Sequence, residues 1–87
     1  MMRLRVEELS AGLHPSEVVV AITLADGRKE RVVVSRRSLS GGTIPIGWPI
    51  AEEGDRALVE LPRETQTGAW RVWVNRGQLV GEERKRA

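Results

Sequence analysis

The sequence predicts an all-β domain, a small antiparallel barrel or sandwich of about five to six short strands. Three observations lead there. Of the 87 residues, 11 are Val, 4 Ile and 4 Thr, so β-branched side chains dominate the apolar set. Asp26-Gly27 stands between two runs of such residues, which is a strong hairpin cue. Gly and Pro recur between short apolar runs, and no stretch carries a convincing helical period.

The elements follow in order. Met2, Leu4 and Val6 alternate with Arg3 and Arg5, the period of a half-buried strand. Glu7-Glu8-Leu9-Ser10 reads as the start of a helical turn or the end of that strand. Residues 10–16, rich in Ser, Gly and Pro, then break regular structure.

Residues 18–24 and 28–35 form the hairpin. A two-residue loop would set Ile22 against Arg31. A three-residue loop with Gly27 in the left-handed region sets Val20 against Val32 and Val18 against Val34. A one-residue slip moves every side chain to the other face, so the second register is expected. Its inner face is Val18, Val20, Ile22, Val32 and Val34. Its outer face includes Val19 and Val33 and is itself partly apolar.

Residues 36–50 read as a long irregular connection, with room for one short edge strand, because two prolines and three glycines exclude a regular interior element. Ile44, Ile46, Trp48 and Ile50 nevertheless alternate. Residues 52–55 read as a solvated acidic turn. Residues 57–61 form a strand that Pro62 ends. After a polar loop, residues 69–74 form the next. Asn75-Arg76-Gly77 repeats the earlier hairpin pattern, which predicts Trp73 opposite Leu79 and Val72 opposite Val80. Residues 1–81 are expected to form one domain, with a charged, frayed tail over 82–87.

The sequence of hairpin, long irregular connection, tryptophan-bearing strand and short terminal strand is similar to that of SH3-like barrels. The resemblance concerns the fold and implies no activity.

Composition excludes several function classes. There is no cysteine, hence no disulfide and no thiolate chemistry. One histidine and no cysteine cannot supply the usual zinc sets, so no metal and no cofactor are expected. His14 reads as a solvated turn residue beside Pro15. Glu52, Glu53 and Asp55 match no calcium-loop spacing. Gly41, Gly42 and Gly47 lack the Lys and the following helix of a phosphate loop. No apolar run is long enough to span a membrane, and the first residues have no apolar leader, so a cytoplasmic location is expected.

Charge gives a weaker signal. The formal net charge is +2, and 12 of the 14 basic residues are Arg. Arg28, Lys29, Arg31, Arg36 and Arg37 face one acid, Glu30, within ten residues, whereas the 44–70 stretch is net acidic. A basic strand beside exposed Trp is one way to hold single-stranded nucleic acid. That is the alternative function.

The preferred expectation is a non-catalytic protein-interaction module that binds a protein partner or itself, with the homodimer preferred. Its residues are the tryptophans and a neighbouring arginine. On the 69–74 strand, Trp70 shares a face with Val72 and Val74 and is expected in the core. Trp73 shares the other face with Arg71. Trp48, Arg71 and Trp73 are therefore the candidate partner interface, since Trp and Arg are enriched at interface centres. The 44–50 segment is an alternative cover for Trp73 within the chain.

Overall fold

A computed structural model describes residues 2–81. Their regular structure is nine strands and two short 3-10 turns, arranged as three antiparallel sheets of three strands. The all-β class predicted from the β-branched content holds. The sheets do not close into a barrel. The expectation of a frayed tail concerns residues 82–87, which lie outside the described residues.

Strand β1 (Met2–Arg5) and strand β2 (Glu7–Ala11) are one path bent at Val6. The Val6 N–H donates to the Gly42 carbonyl at 2.9 Å. The acidic stretch 7–10 is thus a strand, not a helical turn. Its pairing with β3 (Glu17–Thr23) shifts register between Glu8 and Ser10. Such a bulge bends a strand and disrupts one edge of the ladder.

β3 pairs with β4 (Lys29–Ser35) in the three-residue-loop register: Val20 lies opposite Val32 and Val18 opposite Val34. The Leu24 N–H donates to the Arg28 carbonyl at 2.7 Å, and Gly27 sits at φ +91°. Val18, Val20, Ile22, Val32 and Val34 are all buried. The apolar set therefore chose the register, as burial of one face requires.

A 3-10 turn over Arg36–Ser38 leads to β5 (Thr43–Ile46), an edge strand on β1 with Leu4 opposite Ile44. Pro45 is tolerated there because an edge position needs no second ladder partner. β6 (Ala51–Glu53) then pairs with β7 (Arg56–Glu60), so part of the expected acidic turn is strand. β7 pairs with β8 (Arg71–Asn75), with Leu58 opposite Trp73.

The predicted second hairpin does not form. Residues 76–78 make a 3-10 turn, and β9 (Leu79–Gly81) pairs with β1 instead of β8. Leu79 lies opposite Leu4, not Trp73. Gln78 explains the diversion. Its side-chain oxygen accepts from the Asn75 N–H at 3.1 Å, and its amide donates to the Thr23 carbonyl at 2.8 Å. The Arg76 N–H is taken by the Asp55 carbonyl at 2.8 Å. These bonds hold the turn open and send the chain to the vacant edge of β1, where Leu4 becomes fully buried.

One core serves all three sheets. It joins Leu4 and Ile44, the inner face of the β3–β4 hairpin, and Ala57, Val59, Leu61, Val72 and Val74. Two backbone bonds tie the second and third sheets together. Ala25 N–H donates to the Trp73 carbonyl at 2.8 Å, and Gln66 N–H to the Arg31 carbonyl at 2.9 Å. No helix among the described residues is long and apolar enough to cross a membrane.

Candidate functional site

The three tryptophans occupy two different places. Trp73 lies on the outer face of the third sheet, half-buried and opposite Leu58. The strand period puts Arg71 and Asn75 beside it, with Arg56 and Glu60 diagonal on β7. The hairpin tip leans over it through the Ala25–Trp73 bond. Between tip and sheet runs a cleft of about 260 Å3, with Leu24, Asp26, Arg28, Arg56, Arg71 and Trp73 among its walls.

Charges in this cleft are largely paired. The Arg28 Nε donates to the Asp26 carboxylate at 2.8 Å, and Arg71 stands 3.8 Å from Glu60. The Arg28 backbone N–H also donates to Asp26, at 3.0 Å. That backbone bond first, then the guanidinium bond, holds the Asp26 carboxyl below its usual range. Glu30 accepts from the Thr67 hydroxyl at 2.8 Å.

Trp48 lies elsewhere. It borders a second cleft, about 370 Å3, with Pro45, Ile46, Glu60, Leu61 and Pro62. The structure thus brings Arg71 and Trp73 together and leaves Trp48 apart from them. The 44–50 segment does not line the Trp73 cleft. Trp73 shares its cleft with the hairpin tip residues Leu24, Ala25, Asp26 and Arg28.

Trp70 corrects a second expectation. It is 50% exposed, not in the core. Strand period alone would put it in phase with the buried Val72 and Val74. But it precedes β8, where the Leu61 N–H donates to its carbonyl at 2.8 Å. The period that sets the face of Val72 and Val74 therefore does not extend back past the first residue of β8. Trp70 therefore stands across from Leu61, while Trp48, 64% exposed, borders the cleft of the same Leu61. Leu61 is thus bonded through its backbone to one exposed tryptophan and shares a cleft with the other. Sequence reasoning missed Trp70. The one available signal was its place at the very start of the strand, next to the turn residues Gly68 and Ala69.

The basic residues predicted as a patch are distributed. Lys29 pairs with Glu7 at 3.3 Å, Arg36 approaches Glu8 at 3.9 Å, and Arg28 is held by Asp26. Arg31 and Arg37 are exposed, with no carboxylate partner among the described residues. His14 is exposed, and its carbonyl caps the turn by accepting from the Glu17 N–H at 3.0 Å. Glu52 binds Arg76 at 2.7 Å. Among the described residues no group of three or more His, Cys, Asp or Glu side chains is placed to hold a metal ion.

Comparison with protein-family models, with curated proteins and with solved structures returned no match.

Proposed function

We propose that this chain is a non-catalytic binding domain that docks a protein partner at the end of its third sheet. One observation carries the reading: Trp48, 64% exposed, borders the Leu61 cleft, and Trp70, whose carbonyl accepts from the Leu61 N–H, is 50% exposed. Burying a whole indole removes about 150–250 Å2 from water, worth roughly 4–6 kcal/mol at about 25 cal/mol per Å2; at Trp48 and Trp70, 64% and 50% of that surface is left for a partner to cover. A small domain with marginal stability gains nothing by presenting two of them unless something covers them. Pro45 and Pro62 border the same cleft and give it rigid walls. The cytoplasmic location expected from the sequence belongs to this proposal.

The nucleic-acid alternative has less support. Three of its five basic residues have a carboxylate within 4.0 Å, so little charge is free to release counterions from a phosphate backbone.

The test is site-specific photocrosslinking in cells. A crosslinking amino acid replaces Trp48, Trp70 or, as a control, Glu53 on the exposed β6 edge. One protein species should crosslink from positions 48 and 70 and not from 53. Crosslinking that is equal at all three, or confined to 53, overturns the reading. A single-stranded oligonucleotide that quenches tryptophan emission and loses affinity steeply with salt would turn the function to the alternative.

A further inference from the structure

The cleft at Trp73 has two walls that are fixed to each other. One is the tip of the β3–β4 hairpin, with Asp26 and Arg28; the other is the outer face of the third sheet, with Arg56, Arg71 and Trp73. The Ala25 N–H bond to the Trp73 carbonyl, at 2.8 Å, and the Gln66 N–H bond to the Arg31 carbonyl, at 2.9 Å, hold the two sheets together. The hollow is therefore preformed, and no ligand has to open it.

The charges around it are unequally engaged. Both carboxylates on its walls already have donors. Asp26 accepts from the Arg28 backbone N–H at 3.0 Å and from the guanidinium at 2.8 Å, and Glu30 accepts from the Thr67 hydroxyl at 2.8 Å. The two guanidiniums of the third sheet are freer. Arg71 stands 3.8 Å from Glu60, well beyond the roughly 2.7–2.9 Å of a charge-assisted hydrogen bond. Arg56 lies opposite Glu53 in one ladder and Asn75 in the other, yet no carboxylate among the described residues comes within 4.0 Å of it.

These two arginines bracket the indole. Arg71 precedes Trp73 by two residues on the same face of β8, and Arg56 lies diagonally across on β7, toward the other end of the strand. Trp73 offers a flat apolar surface, and a guanidinium fork matches the two oxygens of a carboxylate. The cleft holds about 260 Å3, just below the range of about 300–1,000 Å3 typical of drug-sized ligands. That volume suits one ring with a short acidic arm. Three arginines against two acids on the walls leave a single positive charge, which matches a monoanion better than a phosphate dianion.

We propose that this cleft binds a small aromatic carboxylate, with the ring against Trp73 and the carboxylate held by Arg56 and Arg71. Neither Trp48 nor Trp70 lines it, so the site is independent of protein docking at those two residues.

Phenylacetate is the probe, titrated into the isotope-labelled full chain and followed by NMR. The Trp73 indole N–H and the Nε–H signals of Arg56 and Arg71 should shift together and saturate, with a Kd of about a millimolar, the scale for a ligand of about ten non-hydrogen atoms. Phenylacetamide has the ring without the charge and acetate the charge without the ring, and each should bind at least about tenfold more weakly. Arg56→Gln and Arg71→Gln should each weaken phenylacetate by about fivefold or more, with the other backbone signals in place to show an intact fold. Arg37→Gln, in a residue that borders a different cleft, should bind as the wild type does. Absence of any saturable shift up to about 10 mM overturns the site. Equal binding of phenylacetamide or of acetate overturns the ligand class, as does tighter binding of inorganic phosphate. Undiminished binding in both glutamine variants overturns the role given to the arginines. Each of these failures leaves the Trp48 and Trp70 reading standing.

Discussion

Ala25 donates its backbone N–H to the carbonyl of Trp73 at 2.8 Å, joining the tip of one hairpin to the edge of another sheet. The tip is thus part of the wall around Trp73 and not a free loop. Its shape matters for the third sheet as well as for its own. The Ala25 amide is therefore expected to exchange slowly with solvent, while that of Asp26, one residue on, exchanges fast.

The tip depends on Gly27. At φ +91° an L side chain is strained, and the surrounding space is open, so the penalty is conformational and not steric. Gly27→Val should destabilise by about 1–2 kcal/mol. Urea denaturation reads this directly. An unchanged midpoint would show that the three-residue loop is not the one in solution.

Asp26 should report on the same tip by its titration. Its folded pKa lies below the ordinary carboxylate value, chiefly through the backbone bond from Arg28 and then through the guanidinium. A carboxyl with a depressed folded pKa adds stability above its unfolded pKa and loses it as pH falls through the folded value. Carboxyl carbon shifts followed by NMR should place Asp26 below a model aspartate. Arg28→Ala should raise it toward the ordinary value without fully restoring it, because the backbone bond remains.

Arg3 carries an unexpected structural burden. Its Nε donates to the Thr43 hydroxyl at 2.7 Å, and one terminal nitrogen donates to the carbonyls of Ser38 and Thr43 at 2.7 and 3.1 Å. It thereby clips the connection 38–43 onto β1. Arg3→Ala should cost about 1.5–3 kcal/mol, the range for hydrogen bonds to a charged group. Arg3→Lys should recover little, since an ammonium lacks the planar fork that spans both carbonyl and hydroxyl. Full recovery by Lys would mean that charge, not geometry, holds the segment.

These residues also show which parts of the molecule local sequence encodes. The β3–β4 hairpin was legible because two signals agreed: Asp26-Gly27 marked the turn, and the alternation of Val18, Val20, Ile22, Val32 and Val34 chose the register. The same kind of local cue at Asn75-Arg76-Gly77 misled. The deciding terms there are long-range: the open edge of β1 beside Leu4, and the bonds of Gln78 to Asn75 and Thr23. β2 was ambiguous for a related reason. Glu7–Ala11 has little apolar period of its own and is a strand because β3 supplies the ladder. At the surface, the strand period predicts burial for Trp70, yet that residue precedes β8 and half its surface is exposed. Arg71 and Trp73 share a face by period alone; the separation of Trp48 from them required the three-dimensional path of residues 46–50.

The three tryptophans should therefore divide in a stability measurement. Full truncation of a buried Trp costs about 3–5 kcal/mol. Trp73 is half-buried against Leu58 and under the hairpin tip, so Trp73→Ala should cost about 2 kcal/mol. Trp48 and Trp70 have most of their surface in water, so each alanine variant should lose less than about 1 kcal/mol. Their effect should appear in binding instead, as loss of the partner captured from positions 48 and 70. Emission gives an independent reading: the wild-type spectrum should be dominated by water-exposed indoles, and the difference spectrum against Trp73→Ala should be blue-shifted relative to the other two. The division has a physical basis in the fold, because Trp73 is one wall of the bond-tied junction between two sheets while the other two lie outside the strands and are largely exposed. Were Trp48→Ala or Trp70→Ala to destabilise as much as Trp73→Ala, those indoles would be covered within the chain, and no exposed aromatic end would remain for a partner to cover.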